Sequence, residues 1–208
     1  MKTLIVAATK AELSLFLQHH NLPDGNFIAG KNFDVLITGV GMVATAFALG
    51  ETVSIHHYNL VLNVGIAGSF DRSLELGSLV NITIDTFAEL GAEKGEEFLP
   101  IVDLGFGESR YSAHCTFETN LPKVTAITVN RVSGNEKSIA SIINRLNPVT
   151  ESMEGAAVFY ACNKKNLHCL QIRSISNYVE PRNKENWKIG LAIKKLNEWL
   201  IAFIGDMN

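Results

Sequence analysis

DVLITGVGMVATAFALGETVSIHHYNLVLNV, residues 34–64, is the stretch that decides the fold. It opens with an apolar, β-branched run over 34–38 and turns through Gly39-Val40-Gly41. It then carries a helical pattern over 43–55 and closes on a second apolar run over 60–64. Strand, glycine turn, helix and strand make one crossover unit, and repeated units of this kind build parallel sheets with helices on their faces. The same alternation continues outward in both directions. Residues 4–8, 79–84, 124–129 and 170–176 are further strand candidates, and 11–19, 136–145, 154–163 and 187–204 are helical patterns. The last places Ile189, Ile193, Leu196, Leu200 and Phe203 at helical spacing, the mark of an amphipathic helix covering a sheet. The expected fold is α/β in three layers, with a central mixed, mostly parallel sheet flanked by helices, and with residues 1–208 as one domain. Residues 87–122 carry several glycines and weak periodicity, and read as loops and short strands that line a site or an interface.

The bulk composition narrows the function. Hydrophobic residues make up 47% of 208, and the net charge is −3, which provides no basic field for nucleic acid. No apolar run reaches the length of a membrane span. The run at the N-terminus is short and is followed by Lys10-Ala11-Glu12, so it reads as a buried first strand and not as a leader. Cys115, Cys162 and Cys169 lack CxxC spacing and read as reduced, buried thiols of a cytoplasmic protein. The histidines do not fall at ligand spacing, so no metal is expected.

No cofactor is expected either. Gly39-Val40-Gly41-Met42-Val43-Ala44 matches a dinucleotide-binding turn, but the acid that would hold a ribose is missing from the end of the next strand, Leu62-Asn63-Val64-Gly65. These glycines read as a tight strand-to-helix turn. Asn63-Val64-Gly65-Ile66-Ala67-Gly68-Ser69 reads as a second small-residue turn at a strand end, where a ligand can approach backbone N–H groups.

Two carboxylates stand out. Glu12 follows the first strand, and by pattern alone it reads as a solvated first-turn residue favoured by the helix dipole. Glu154 begins Glu154-Gly155-Ala156-Ala157-Val158-Phe159-Tyr160-Ala161-Cys162, a helix apolar nearly all round, and a carboxylate at such a helix needs partners. Two readings stay open for it: a buried ion pair with Arg173 or another base, or the hydroxyls of a ligand. QIRSISNYVEPRN, residues 171–183, then carries an arginine into a buried-looking strand and delivers Asn177 at its end, where α/β proteins do their chemistry. An amide there cannot trade protons as a carboxylate does.

Ser152-Met153-Glu154-Gly155-Ala156-Ala157 together with Ile172-Arg173-Ser174-Ile175-Ser176-Asn177 resembles the purine and uridine phosphorylase superfamily, in particular its nucleosidase branch. The resemblance covers most of the chain, including Glu12, Gly39-Val40-Gly41 and Asn63–Gly68. Within the branch, Ser176-Asn177-Tyr178-Val179-Glu180-Pro181-Arg182-Asn183 is similar to the futalosine hydrolase family, which serves menaquinone biosynthesis. The resemblance implies a phosphorylase/hydrolase-like fold and a small nucleoside as the molecule bound. It also implies a homodimer or higher homo-oligomer, and neither nucleic acid nor membrane as a partner. It implies that Glu12 activates a water, that Arg173 organises Glu12 and that water, and that Met153 and Glu154 hold the ribose. Ala67, Gly68 and Ser176 would touch the substrate, and Trp187 would flank it near the mouth. The position of Asn177 is an Asp in the adenine-specific members, where it protonates N7 of the leaving base.

Further departures are Ile66 for Ser, Ser152 for a second Glu, and Lys137-Ser138 for an aromatic-Ile pair. Hypoxanthine offers O6 and N7 as acceptors. An Asn amide donates to them without bringing a repelling charge, so Asn177 points to hypoxanthine and away from adenine. Water is favoured over phosphate as the attacking group, because Glu12 repels a dianion and Arg72 is the one arginine near the early glycine segments. A methylthioadenosine/S-adenosylhomocysteine-type nucleosidase, a purine nucleoside phosphorylase and a non-catalytic nucleoside-binding module are the alternatives. Arg182 and Lys188 are the cations placed to meet an aryl carboxylate at the far end of the substrate.

Overall fold

The structure, a computed structural model, describes residues 2–95 and 97–207. In chain order the strands are β1 (Thr3–Ala7), β2 (Phe27–Ile28), β3 (Phe33–Ile37), β4 (Leu60–Ser69), β5 (Leu79–Phe87), β6 (Gly91–Lys94), β7 (Glu97–Pro100), β8 (Arg110–Ser112), β9 (Lys123–Thr128), β10 (Thr150–Ser152) and β11 (Cys169–Tyr178). The helices are α1 (Ser14–His19), α2 (Met42–Ile55), α3 (Glu136–Leu146), α4 (Gly155–Lys165) and α5 (Ile189–Asp206), with 3-10 turns at Lys10–Leu13 and Lys184–Asn186. No helix among the described residues is long and apolar enough to cross a membrane.

The main sheet runs β10-β9-β5-β11-β4-β1-β3-β2, with β8 on β5. The β1–β3, β1–β4, β4–β11, β5–β9 and β9–β10 pairs are parallel. β5–β11, β4–β10, β2–β3 and β5–β8 are antiparallel. Alternation along β1 shows the layering: Leu4 and Val6 enter one apolar cluster with Leu49 of α2 and Val158 and Phe159 of α4, while Ile5 and Ala7 enter another with Phe16 of α1 and Leu196 and Leu200 of α5. A strand buried on both faces carries side chains to both helix layers, which explains its uninterrupted apolar sequence.

One end of the sheet closes on itself. β10 pairs with β9 and also with the far end of β4, through Thr150↔Ser69 and Glu151↔Gly68, so β4, β11, β5, β9 and β10 form a ring. Register shifts between Ile82 and Ile84 in β5 and between Ile175 and Asn177 in β11 supply the bending.

Several expectations are corrected here. The segment 63–69 is not a turn: it is the second half of β4, paired with β11 as far as Ser69. The helical pattern at 11–19 begins as a 3-10 turn, with Glu12 on that turn. Trp187 precedes α5. Cys115 is half-buried, whereas Cys162 and Cys169 are buried. β2 and β10 were not foreseen, because two- and three-residue strands are too short to show a period.

Candidate active site

A cavity of about 290 Å³ opens where the carboxyl ends of β1, β4 and β11 meet the segments leading into α4 and α5. Glu12, Ala67, Gly68, Met153, Glu154, Ser176, Asn177 and Trp187 all line it, and Arg173 lies behind the wall. Strand ends at one edge of an α/β sheet are where ligands bind.

Glu12 is 8% exposed and is not the solvated residue that its pattern suggests. Thr9 and Glu12 form a capping box around the 3-10 turn. The Thr9 N–H and hydroxyl each donate to Glu12 Oε2 at 3.0 Å, and the Ile66 N–H donates to Oε1 at 3.1 Å. Asn197 of α5, fully buried, fixes the turn from below. Its Nδ2 donates to the Glu12 carbonyl at 2.8 Å, and its Oδ1 accepts from the Phe16 N–H at 2.8 Å. Burial is the largest influence on the Glu12 carboxyl and raises its pKa above 4.5. Arg173, the Ile66 N–H and Thr9 oppose the rise, and the like charge of Glu154 adds to it. A carboxylate raised in this way is a stronger base at neutral pH than a free one.

Arg173 is 2% exposed. Its Nη2 donates to Asn63 Oδ1 at 2.6 Å and to Gln171 Oε1 at 3.0 Å. Gly65 separates it from Glu12: a Cβ on that residue would fall 2.8 Å from Glu12 Oε1 and would overlap Arg173 Nη1. The missing side chain lets the guanidinium approach the carboxylate without a direct ion pair. Behind Arg173 the network continues. Gln171 Nε2 donates to Asp85 Oδ2 at 3.0 Å, the Thr128 hydroxyl donates to Asp85 Oδ1 at 2.9 Å, and the Ala156 N–H donates to Thr128 Oγ1 at 2.7 Å. Asp85 is fully buried. Burial, offset in part by Gln171, Thr128 and Arg173, pushes its carboxyl up to about 6. Gly155 is forced in the same way, since a Cβ there would overlap both Gln171 Oε1 and Asp85 Oδ2.

Glu154 sits one residue before α4, 8% exposed, and its Oε1 accepts the Gly41 N–H at 2.9 Å. This corrects the buried ion-pair reading: among the described residues no Lys, Arg or His pairs with Glu154, and the Nη2 of Arg173 goes to Asn63 and Gln171. The N–H that serves Glu154 belongs to the Gly39-Val40-Gly41 turn. Gly41 takes φ +96°, a conformation that other residues rarely adopt.

Asn177 has its amide orientation set by neighbours. Its Oδ1 accepts from the Ser176 hydroxyl at 2.8 Å and its Nδ2 donates to the Tyr178 carbonyl at 3.1 Å, which leaves one N–H for the cavity. Gly68 makes room, since a Cβ there would lie 3.1 Å from Asn177 Nδ2.

Sequence reasoning passed over Glu151. It is 4% exposed, lines the cavity, and accepts from the Ser133 N–H at 2.8 Å and the Ser133 hydroxyl at 2.5 Å. Burial raises its carboxyl above 4.5 against the opposing Ser133 bonds. An acid sits one place before the position where the resemblance expects its second Glu, and that displaced acid was the available signal. Lys137 and Ser138 do not wall the cavity: they are exposed in the first turn of α3, and Val132 and Ser133 take that place. At the mouth, Arg182 lies 5.5 Å over the Trp187 ring and lines the cavity, with Ile189 and Ile193 of α5 beside it; Lys188 is not on its wall.

The sequence profile of the phosphorylase superfamily matches residues 2–204. A futalosine hydrolase of Streptomyces coelicolor is 33% identical over 192 residues, covering 86% of this chain and 78% of the relative. A 5'-methylthioadenosine/S-adenosylhomocysteine nucleosidase of Glaesserella parasuis is 26% identical over 231 residues, covering 99% of each chain. The native structure of the futalosine hydrolase of Helicobacter pylori superimposes with a TM-score of 0.83 at 15% identity, covering 99% of this chain and 98% of that one.

Proposed function

We propose that this chain, which belongs to the phosphorylase superfamily, hydrolyses the N-glycosidic bond of futalosine to release hypoxanthine and dehypoxanthine futalosine. One observation carries the reading. Glu12, Glu151, Glu154 and Glu180 line the cavity, Arg182 is the one Lys or Arg among its described lining residues, and the group at the end of β11 is the amide of Asn177. Such a wall repels a phosphate dianion and accepts water.

In the reaction, a water placed against Glu12 attacks the anomeric carbon while the bond from that carbon to N9 breaks. Glu12 takes one proton from the water, and the electron pair of the broken bond leaves on hypoxanthine. Glu154, held by the Gly41 N–H, accepts from the ribose hydroxyls. These hydrogen bonds strengthen as positive charge grows on the sugar. Met153 packs against the sugar, and Trp187 flanks the ligand at the mouth. The free N–H of Asn177 donates to N7 or O6, and this bond strengthens as the base gathers negative charge. The proton that completes the base arrives from water, since an amide has none to give. Arg173 acts through Glu12, holding its carboxylate ionised.

The protein works as a homodimer or higher oligomer. A second groove, lined by the exposed Val43, Phe47 and Phe106, adjoins α2 and the β6–β8 segment and supports an apolar contact there. The test of the function is release of free base from futalosine, inosine and methylthioadenosine, with and without phosphate. The expected result is hypoxanthine from futalosine in phosphate-free buffer, with little adenine from methylthioadenosine. Strict dependence on phosphate refutes the hydrolase reading. Efficient release of adenine favours the nucleosidase named by the Glaesserella parasuis relative.

A further inference from the structure

We infer that Glu151 reads the N1–H of the base and, with Asn177, sets the preference for a 6-oxopurine. The inference rests on the reading of the cavity as a hypoxanthine site. Glu151 of β10 and Asn177 of β11 are both register partners of Gly68 on β4, so the three residues form one row across the sheet. Residues paired in a row present their side chains to the same face. With strands about 4.8 Å apart, the two flanking Cα atoms stand roughly 10 Å from each other. Gly68 puts no side chain between them, and both flanking side chains line the same cavity.

The hydrogen-bond count on Glu151 points to a ligand. An ionised carboxylate offers about four acceptor sites. Ser133 fills two of them, one through its N–H and one through its hydroxyl, and no other donor to Glu151 is present among the described residues. Glu151 is 4% exposed and lines the cavity, so its remaining acceptor sites are shielded from bulk water. A buried carboxylate with unfilled acceptors costs free energy until a donor arrives. Hypoxanthine carries such a donor at N1–H, next to the O6 that Asn177 can address, and adenine carries a lone pair at N1. The same carboxylate therefore attracts one base and repels the other. This divides the work along one base edge: Asn177 donates to N7 or O6, and Glu151 accepts from N1–H.

A tether for the Ser133 loop is the competing role, and Glu151→Gln separates the two. In that variant the amide oxygen still accepts the Ser133 N–H, and the amide NH₂ donates to the Ser133 oxygen, so the tether survives. What is lost is the negative charge and one of the two oxygens able to accept N1–H. The experiment is calorimetric binding of hypoxanthine, 1-deazahypoxanthine (C–H in place of N1–H) and adenine to wild type and Glu151→Gln, beside turnover of futalosine by wild type. The expected result is a wild-type preference of about 10-fold or more for hypoxanthine over its 1-deaza analogue, as for a hydrogen bond to a charged group. In the variant that preference falls below about 3-fold, and adenine gains relative to hypoxanthine. Equal weakening of all three bases by the variant, or no preference in wild type, overturns the assignment, and the wild-type comparison decides even if the variant does not fold. Normal base discrimination without turnover of futalosine refutes the proposed function and leaves Glu151 in its role.

Discussion

Replacing Arg173 by Met removes a buried positive charge while keeping a long apolar stem, and its effect can be sized from the structure. Arg173 Nη1 and Glu12 Oε1 both crowd the point where a Gly65 Cβ would stand, so the sum of their two distances to that point places them within about 5 Å of each other. At that separation and an effective dielectric near 20, Coulomb's law gives roughly 3 kcal/mol in favour of the ionised carboxylate. Burial already lifts the Glu12 carboxyl above 4.5, and Arg173 is the largest influence opposing the rise. Without it, the base becomes ionised only at higher pH. The acidic limb of the kcat/KM profile for futalosine therefore moves to higher pH, with the loss greatest at low pH and partly recovered as pH rises. Arg173→Lys keeps the charge and returns the limb toward its wild-type position. The assay is hypoxanthine release across pH 4–9 for the three proteins. A limb that stays in place while activity falls by the same factor at every pH would refute the electrostatic role and leave Arg173 as a purely structural partner of Asn63 and Gln171.

Three further outcomes follow from the same geometry. Glu12→Gln lowers kcat about 10²–10⁴-fold, as for loss of a general base, while hypoxanthine binding measured by calorimetry changes by no more than a few-fold; near-normal turnover removes Glu12 from its role. Asn177→Asp shifts the ratio of kcat/KM values toward adenine nucleosides, and an unchanged ratio in competition assays contradicts the account of base choice. Asp85→Asn tests a buried charge. The folded protein binds the Asp85 proton more tightly than the unfolded chain does, with a pKa of about 6 against 3.8. The stability from that proton is complete below pH 3.8 and is lost as pH rises through 6, by about 3 kcal/mol. The stability of Asp85→Asn relative to wild type therefore climbs by that amount between about pH 4 and 6.5 in urea denaturation; a flat difference across the range argues against it.

The layered α/β architecture was legible because its strands and helices are long enough to show a period. β1 and the helices α2 and α5 were placed to within two residues. The motif residues Met153, Glu154, Ser176 and Asn177 were legible as a set and line one cavity. What failed was the reading of glycine. Gly65 and Gly68 look like turn residues, yet they sit in a strand and are small so that Arg173, Glu12 and Asn177 can pass over them. Those crossing side chains come from other elements, and no local pattern announces them. Buried polar residues were hidden for the same reason. Asp85, Glu151 and Asn197 are ordinary residues of strands and a helix until tertiary contacts give them Gln171, Ser133 and the Glu12 carbonyl as partners. Glu12 itself was recoverable. Thr9-x-x-Glu12 is a capping-box signature, and it signals a carboxylate folded back on its own turn, not one pointing to solvent.

The central claim, that water guided by Glu12 cleaves futalosine, is tested most directly by a single turnover of futalosine in phosphate-free buffer made with ¹⁸O-water, with both products read by mass spectrometry. The account predicts unlabelled hypoxanthine and a sugar product carrying one ¹⁸O at its anomeric carbon, with both formed by wild type and both formed about 10²–10⁴-fold more slowly by Glu12→Gln. Absence of hypoxanthine, or a sugar released only as a phosphate ester once phosphate is added, would contradict it.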